Sequence, residues 1–258
     1  EQAANVALQA RLKEALSAQP AAVDPRELAA AQEKIRWLMK QNDLLKASHV
    51  NAGPAGAATR YITNTVTVVV TNIHGIHGAP VSEAALGTML ALARDLPRAI
   101  RSQGKRQWTR FPAQLLHNKT VGIFGVGAIA EALAPKCKAF GMRVVGVSSA
   151  PRPVDGFDAM RASSELADAV RDFDFFVLLT PLTEKTRNSI DAGIFAAMKP
   201  SSFLINLARG GVVDEAALAE ALRTRRIAGA ALDVFTQAPL PADHPFWSMD
   251  TVIITTHQ

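Results

Sequence analysis

The sequence predicts an α/β fold in which a parallel sheet is covered by helices on both faces. From Thr120 onward, short runs of valine, isoleucine, leucine and phenylalanine alternate with stretches that have the periodicity of amphipathic helices. The apolar runs are continuous rather than alternating with polar residues, which is typical of strands buried on both faces. Together these two observations predict a doubly wound parallel sheet in the second half of the chain.

Length and composition are those of a globular protein. The chain has 258 residues, of which 48% are hydrophobic and 20% are charged, and this excludes a disordered chain or a disulfide scaffold. The net charge of +5 is a small basic excess with no nucleic-acid-binding motif around it. The single cysteine, Cys137, cannot form an internal disulfide, so a reducing, cytoplasmic compartment is expected. No membrane span, signal peptide or metal site is expected.

Elements are also predicted before the alternating region. Apolar residues recur at helical spacing in residues 3–16 and 25–40, which predicts two helices. Residues 51–58 are rich in glycine and are predicted to form a loop, and residues 66–71 are predicted to form a buried strand. A single long helix is predicted over residues 81–100, because its apolar residues share one face.

Strands and helices then alternate to the end of the chain, and no internal repeat is found. The predicted strands are residues 121–124, 143–147, 175–179, 203–206, 229–234 and 252–255, and the predicted helices are residues 129–140, 163–171, 191–198 and 215–224.

A glycine-rich turn joins the first of these strands to the following helix. Gly125 lets the chain turn sharply, Gly127 lets the backbone approach a pyrophosphate, and Ala130 permits close packing of helix on strand. The helix N-terminus offers N–H groups and a partial positive charge to phosphates. A generic strand-to-helix turn is the alternative, but the strand before and the helix after favour a dinucleotide site in a Rossmann-type fold. The predicted cofactor-binding residues here are Gly125, Val126, Gly127, Ala128 and Ile129.

The residues after the second strand bear on the choice between NAD and NADP. A strand that serves NAD usually ends in a carboxylate, which binds the ribose 2′-hydroxyl. Here Ser148 and Ser149 follow the strand, Arg152 is close by, and the first carboxylate is Asp155. Two hydroxyls and an arginine suit a 2′-phosphate, so NADP is slightly favoured over NAD. A loop that simply faces water is the alternative.

Further motifs follow one another in a fixed order along the chain. They are GVGAIA at 125–130, TPLT at 180–183 with Thr186, MKP at 198–200, NLARGGVVD at 206–214, GAALDVF at 229–235 and TH at 256–257. From about Val66 to the C-terminus, the chain resembles the D-isomer-specific 2-hydroxy acid dehydrogenases, and among them the glyoxylate and hydroxypyruvate reductases. The resemblance implies an NAD(P)-dependent oxidoreductase that transfers a hydride between nicotinamide and a small D-2-hydroxy or 2-keto acid.

The resemblance also implies roles for individual residues. Arg209 would bind the oxygens of a keto acid in a bidentate way, and a surface arginine after a strand is the alternative. His257 would exchange the proton, and Asp233 would hold the nicotinamide amide. Further cofactor contacts are implied for Thr180, Pro181, Leu182, Thr186, Ala208 and Arg209.

The sequence departs from the family pattern at position 238. The carboxylate that partners the catalytic histidine would stand there, but the residue is Ala238. His257 therefore loses the group that would keep its imidazole charged and oriented. Gln237 is adjacent, but in an extended segment its side chain would point to the opposite side. Thr256 and Gln258 also differ from the residues usual around this histidine.

The domain organisation implied by the family is only partly present. Residues 1–74 are predicted to form a shortened, flavodoxin-like substrate domain, and residues 75–258 a Rossmann-type domain without the usual C-terminal return helix. Gly53 and Gly56 lie in a loop that would bind a substrate carboxylate through backbone N–H groups, and a plain surface turn is an equal alternative. The helix predicted over residues 81–100 resembles an element that packs across a dimer axis, which implies a homodimer.

Two functions remain open from the sequence. The phosphate loop, Arg209 and His257 favour an NAD(P)-dependent dehydrogenase or reductase. Ala238 and the short substrate domain favour a dinucleotide-binding protein with a binding or regulatory role and impaired turnover. A fragment of an ordinary enzyme is a third interpretation, and the substitution at position 238 argues against it.

Overall fold

The computed structural model describes residues 77–257. The helices, loop and strand predicted over residues 3–71, with Gly53 and Gly56, lie outside this range. Within it, no helix is both long enough and apolar enough to cross a membrane.

The described residues form one seven-stranded sheet with helices on both faces. The helices are α1 (Gly78–Ala93), α2 (Leu96–Gly104), α3 (Ala128–Ala139), α4 (Leu166–Ala169), α5 (Ala192–Ala197) and α6 (Glu215–Arg223). The strands are β1 (Thr120–Phe124), β2 (Arg143–Ser148), β3 (Ala159–Ala162), β4 (Phe175–Leu178), β5 (Phe203–Asn206), β6 (Gly229–Leu232) and β7 (Val252–Ile254). Their order in the sheet is β3-β2-β1-β4-β5-β6-β7, and every neighbouring pair is parallel.

This arrangement confirms the predicted doubly wound parallel sheet. The six predicted strands, with α3, α5 and α6, appear within two residues of their predicted bounds. Side chains along β4 alternate between two cores, because successive residues of a strand face opposite sides. Phe175 and Val177 pack with α1 and α3, whereas Phe176 and Leu178 pack with α4, α5 and α6. Cys137 is buried in the first core, and burial raises the pKa of its thiol to about 12.

Residues 81–100 do not form one helix, and that prediction is wrong. Helix α1 ends at Ala93 and α2 begins at Leu96, with Asp95 between them in the left-handed region at φ 50°. A continuous helix would need an N–H at position 97 to bond the Ala93 carbonyl. Pro97 has no N–H, and its ring would collide with that carbonyl. The backbone N–H of Gln114 donates to the Ala93 carbonyl instead, at 2.8 Å.

The region between β2 and β4 also differs from the prediction. No strand was predicted there, yet Ala159–Ala162 pairs in parallel with β2 at the edge of the sheet. Its sequence, AMRA, lacks the β-branched and aromatic residues that favour strands, so the pairing itself defines this strand. The helix predicted over residues 163–171 is α-helical only in α4, because 3₁₀ turns at Ser163–Glu165 and Val170–Asp172 flank it.

Asp158 joins the start of β3 to β2 and α3. Its carboxylate accepts hydrogen bonds from Lys138 Nζ and from the Val144 N–H, each at 2.7 Å. The bond with Lys138 is the main reason why the pKa of Asp158 lies below its ordinary value.

The lowered pKa of Asp158 predicts a dependence of stability on pH. Because this carboxyl has a lower pKa in the folded state than in the unfolded state, its stabilisation is complete at neutral pH and is lost as the pH falls below about 4. We expect urea unfolding to show that Asp158→Asn loses less stability than the wild type between about pH 5 and about pH 3. Equal losses in the two proteins would contradict this role of Asp158.

Candidate dinucleotide and substrate site

The strand order reverses between β1 and β4, and the loops after these two strands are in contact. In doubly wound sheets, ligands bind in the crevice outside this point. The backbone N–H of Leu179 donates to the Phe124 carbonyl at 2.8 Å. Gly125 has φ 97°, and a Cβ at this position would lie 2.5 Å from the backbone nitrogen of Thr180. Only glycine fits this turn, because both the backbone conformation and the space exclude a side chain.

Gly127 is the N-cap of α3 and leaves the end of the helix open. Its conformation, φ −146° and ψ −163°, is available to any residue, and no described atom lies within 4 Å of the position of a Cβ. No described side chain caps the helix, so its first N–H groups are available to an anion. Ala130 is fully buried behind the turn. These features fit the pyrophosphate of a dinucleotide. The remaining predicted residues of the turn, Val126, Ala128 and Ile129, are half-buried or exposed.

The loop after β4 is held by hydrogen bonds among its own residues. Thr186 Oγ1 donates to the Pro181 carbonyl at 2.7 Å and accepts from the Thr183 N–H at 2.8 Å. The exposed Leu182 lies beside the loop after β5, since its Cδ2 is 3.2 Å from the position of a Cβ on Gly211. Four of the predicted cofactor contacts, namely Thr180, Pro181, Leu182 and Thr186, thus belong to the loop after β4 at the switch point.

Arg209 lies in the loop after β5, and Asn206 fixes the backbone of that loop. Asn206 Oδ1 accepts from the Ala208 N–H at 3.1 Å, and its Nδ2 donates to the Arg209 carbonyl at 3.3 Å. The half-buried Arg209 donates from Nη1 to the Ala208 carbonyl at 2.7 Å, which uses one of the five N–H groups of the guanidinium. Sequence reasoning assigned no role to Asn206, although its place at the start of the NLARG motif could have indicated one.

The loops after β5 and β6 approach each other closely. The Asp233 N–H donates to the Asn206 carbonyl at 3.1 Å. A Cβ on Gly210 would lie 1.9 Å from the Phe235 carbonyl carbon. The close contact between these two loops therefore fixes the backbone position of Gly210, which directly follows Arg209.

Asp233 connects the ends of β6 and β7. Its buried carboxylate accepts from the backbone N–H of His257 at 2.9 Å and from the hydroxyl of Thr255. His257 is exposed and has φ 59°. Asp233 therefore holds the backbone of the predicted catalytic histidine. Across residues 77–257, no hydrogen bond or ion pair to the imidazole ring is found.

Position 238 lies on an exposed segment that follows β6. The chain bends at residues 236–239, so the extended conformation predicted around Gln237 is wrong. Gln237 and Ala238 are both exposed. A carboxylate that sequence reasoning missed does contact this segment, because Glu215 Oε1 accepts from the Thr236 N–H at 2.6 Å.

The residues predicted to distinguish NADP from NAD lie after β2. Ser148 is the last residue of this strand and accepts from the Ala150 N–H at 3.3 Å. Ser149 and Arg152 are exposed. Arg152 Nη2 lies 3.4 Å from Glu131 Oε1, which belongs to the first turn of α3. The spacing of these residues in the sequence did not indicate this ion pair.

The doubly wound sheet and its glycine turn define a dinucleotide-binding domain, and an arginine, a histidine and a carboxylate follow strands at the same edge of the sheet. Residues 86–258 match the family described as D-isomer specific 2-hydroxyacid dehydrogenase, NAD binding domain. The chain belongs to this family, which confirms the resemblance found from the motifs.

Known proteins are similar over about three quarters of the chain. D-3-phosphoglycerate dehydrogenase of Methanocaldococcus jannaschii is 38% identical over 194 residues, which are 74% of this chain and 37% of that protein. A family member from Aeromonas salmonicida subsp. salmonicida has a solved structure with a TM-score of 0.69 and 39% identity, covering 73% of this chain and 61% of that one. The NADPH-dependent glyoxylate/hydroxypyruvate reductase of Sinorhizobium meliloti, solved with NADP and sulfate, has a TM-score of 0.65 and 31% identity, covering 70% and 58%. The chain thus spans between about a third and two thirds of the length of these relatives.

Proposed function

We propose that the chain is an NAD(P)-dependent oxidoreductase that acts on a small D-2-hydroxy or 2-keto acid, with NADP slightly favoured over NAD. The observation that carries this proposal is the open glycine turn at the switch point, with Arg209 and His257 following strands at the same edge. The Sinorhizobium relative, which is named for NADPH, glyoxylate and hydroxypyruvate, supports both the cofactor and the substrate class. A bound nicotinamide cofactor would supply or accept the hydride.

In this proposal, the residues of the chain bind the substrate and move the proton. Arg209 binds the substrate carboxylate through its fork of N–H groups, which a lysine could not imitate. His257 exchanges the proton with the substrate oxygen. Asp233 limits the freedom of this histidine by holding its backbone N–H, while the ring lacks the carboxylate that the family usually supplies.

We also propose that residues 1–74 belong to the substrate domain and that two chains associate. The support for a homodimer is a set of exposed apolar side chains on α2 and in the segment after it. These side chains are Leu96, Ile100, Trp108 and Leu115, of which Trp108 is 93% exposed. Association of two chains would remove these side chains from water, which is favourable. The buried thiol of Cys137 is compatible with a reducing compartment such as the cytoplasm.

Oxidation of NADPH and NADH with glyoxylate or hydroxypyruvate would test the proposed activity. We expect slow turnover by the wild type, and we expect Ala238→Glu to increase kcat by at least about tenfold, because an orienting carboxylate contributes up to about 10⁴ in triad enzymes. We also expect kcat to change more than KM.

Gln237→Glu provides the matched control. It adds the same charge at the adjacent exposed position, outside the family's carboxylate position. If Gln237→Glu accelerates turnover as much as Ala238→Glu, a general effect of negative charge would explain the gain. If neither the wild type nor Ala238→Glu turns over any keto acid, the proposed enzymatic activity is wrong.

A second function is favoured by Ala238 together with the unpartnered ring of His257 within residues 77–257. The chain would then bind a dinucleotide and act as a binding or regulatory protein with impaired catalysis. Calorimetric binding of NADP⁺ or NAD⁺ without any turnover would support this function over the first.

A further inference from the structure

The ion pair between Glu131 and Arg152 bridges two parts of the proposed cofactor site. Glu131 lies in the first turn of α3, one helical turn after Gly127. Arg152 lies in the loop after β2, and its Nη2 is 3.4 Å from Glu131 Oε1. Both side chains are partly exposed, at 46% for Glu131 and 67% for Arg152, so a ligand can reach either of them.

The pair lies between the places where two groups of a dinucleotide would bind, the pyrophosphate and the ribose of the adenosine. In Rossmann-type domains the pyrophosphate lies at the N-terminus of the first helix, and the 2′ position of the ribose lies beside the loop after the second strand. Glu131 is next to the first of these places, and Arg152 is beside the second. The carboxylate of Glu131 on α3 thus already pairs with the guanidinium of Arg152, which would recognise a 2′-phosphate.

The two cofactors differ in their demand on Arg152. A phosphate monoester carries about 1.5 to 2 negative charges at neutral pH, so the 2′-phosphate of NADP must compete with Glu131 for the guanidinium. NAD has a hydroxyl at the same position and makes no such demand. Competition for Arg152 would therefore weaken the binding of NADP alone, whereas any repulsion between Glu131 and the shared pyrophosphate would act equally on NADP and NAD.

We propose that Glu131 is a specificity-determining residue, whose carboxylate competes with the 2′-phosphate of NADP for Arg152 and thereby limits the preference for NADP over NAD. This inference rests on the proposed function, because it requires a dinucleotide at the glycine turn. It goes beyond that function by placing part of the cofactor choice on α3 and not only on the loop after β2.

Calorimetric titration of the full chain with NADP⁺ and with NAD⁺, without substrate, tests this inference. Exposed ion pairs of this kind are weak, so we expect Glu131→Gln to lower the Kd of NADP⁺ by about 2- to 5-fold. The Kd of NAD⁺ should fall by a clearly smaller factor, because NAD⁺ has no 2′-phosphate that competes with Glu131 for Arg152. Salt should reduce the gain, because these charges are exposed to solvent.

A double-mutant cycle tests whether Glu131 acts through Arg152. Arg152→Ala should weaken NADP⁺ by about tenfold, because it removes a charge-assisted contact, and should spare NAD⁺. In the Arg152→Ala background, Glu131→Gln should no longer improve NADP⁺ binding. Glu220→Gln is the matched control. Glu220 forms an exposed ion pair with Arg223 at 2.7 Å, and Arg223 lies in the last turn of α6.

The outcomes separate this inference from the proposed function. If the wild type binds neither dinucleotide, both are overturned. If it binds them but Glu131→Gln changes the two Kd values equally or not at all, only the role of Glu131 is overturned. A gain for NADP⁺ that persists in the Arg152→Ala background would also overturn it, because Glu131 would then repel the phosphate directly.

Discussion

The variant Gly125→Ala is expected to lose about 3 kcal/mol of unfolding free energy. At φ 97° an alanine is strained, and its methyl group would lie 2.5 Å from the backbone nitrogen of Thr180. Left-handed strain and overpacking each cost about 1–3 kcal/mol. The backbone atoms that would collide follow directly after β4, which is paired with β1, so they cannot move without disturbing the centre of the sheet. Urea unfolding followed by circular dichroism measures this loss.

Gly127→Ala is the contrasting variant in the same turn. Its extended backbone accepts alanine, and no described atom lies within 4 Å of the new methyl group. We therefore expect its stability to match the wild type, while its affinity for dinucleotides falls by at least about tenfold, because the methyl group enters the space proposed for the pyrophosphate. If both variants lost the same stability and kept full affinity, the assignment of the two glycines to different tasks would be wrong.

Gly210→Ala is expected to have an effect of similar size at the other side of the site. Its methyl group would lie 1.9 Å from the carbonyl carbon of Phe235 and 2.2 Å from the nitrogen of Thr236. The loops after β5 and β6 would have to separate, at a cost of about 3 kcal/mol. Because Arg209 is the preceding residue, we expect KM for a keto acid to increase together with the loss of stability.

Gly211→Ala serves as the control for this prediction. Its methyl group would meet Leu182 Cδ2 at 3.2 Å, which is the end of an exposed side chain that can rotate away. We expect a change below about 1 kcal/mol. Equal stability of the Gly210 and Gly211 variants in urea would show that the two loops can separate freely.

Much of the fold follows from short stretches of sequence. The buried strand β4 is recognised from four consecutive apolar residues, and α6 from its periodicity. The turn at Gly125 and Gly127 is equally local, since its strand, glycines and helix are contiguous. Pro97 also held enough local information to divide the helix predicted over residues 81–100, because a proline lacks the N–H that a helix interior requires.

The pairings across the site could not be derived in the same way. The contacts of Arg152 with Glu131, of His257 with Asp233, and of Phe235 with Gly210 join residues 21, 24 and 25 positions apart. Strand β3 likewise exists only through its pairing with β2.

The sequence by itself therefore determined the class of fold, the glycine turn between β1 and α3 and the family, because periodicity, glycine geometry and ordered motifs act within short segments. Only the tertiary structure decided which side chains meet, namely that Asp233 holds the backbone of His257 and that Glu131 holds Arg152. The physical reason is that such contacts depend on strand order and register, which bring distant residues to one edge of the sheet after the chain has folded.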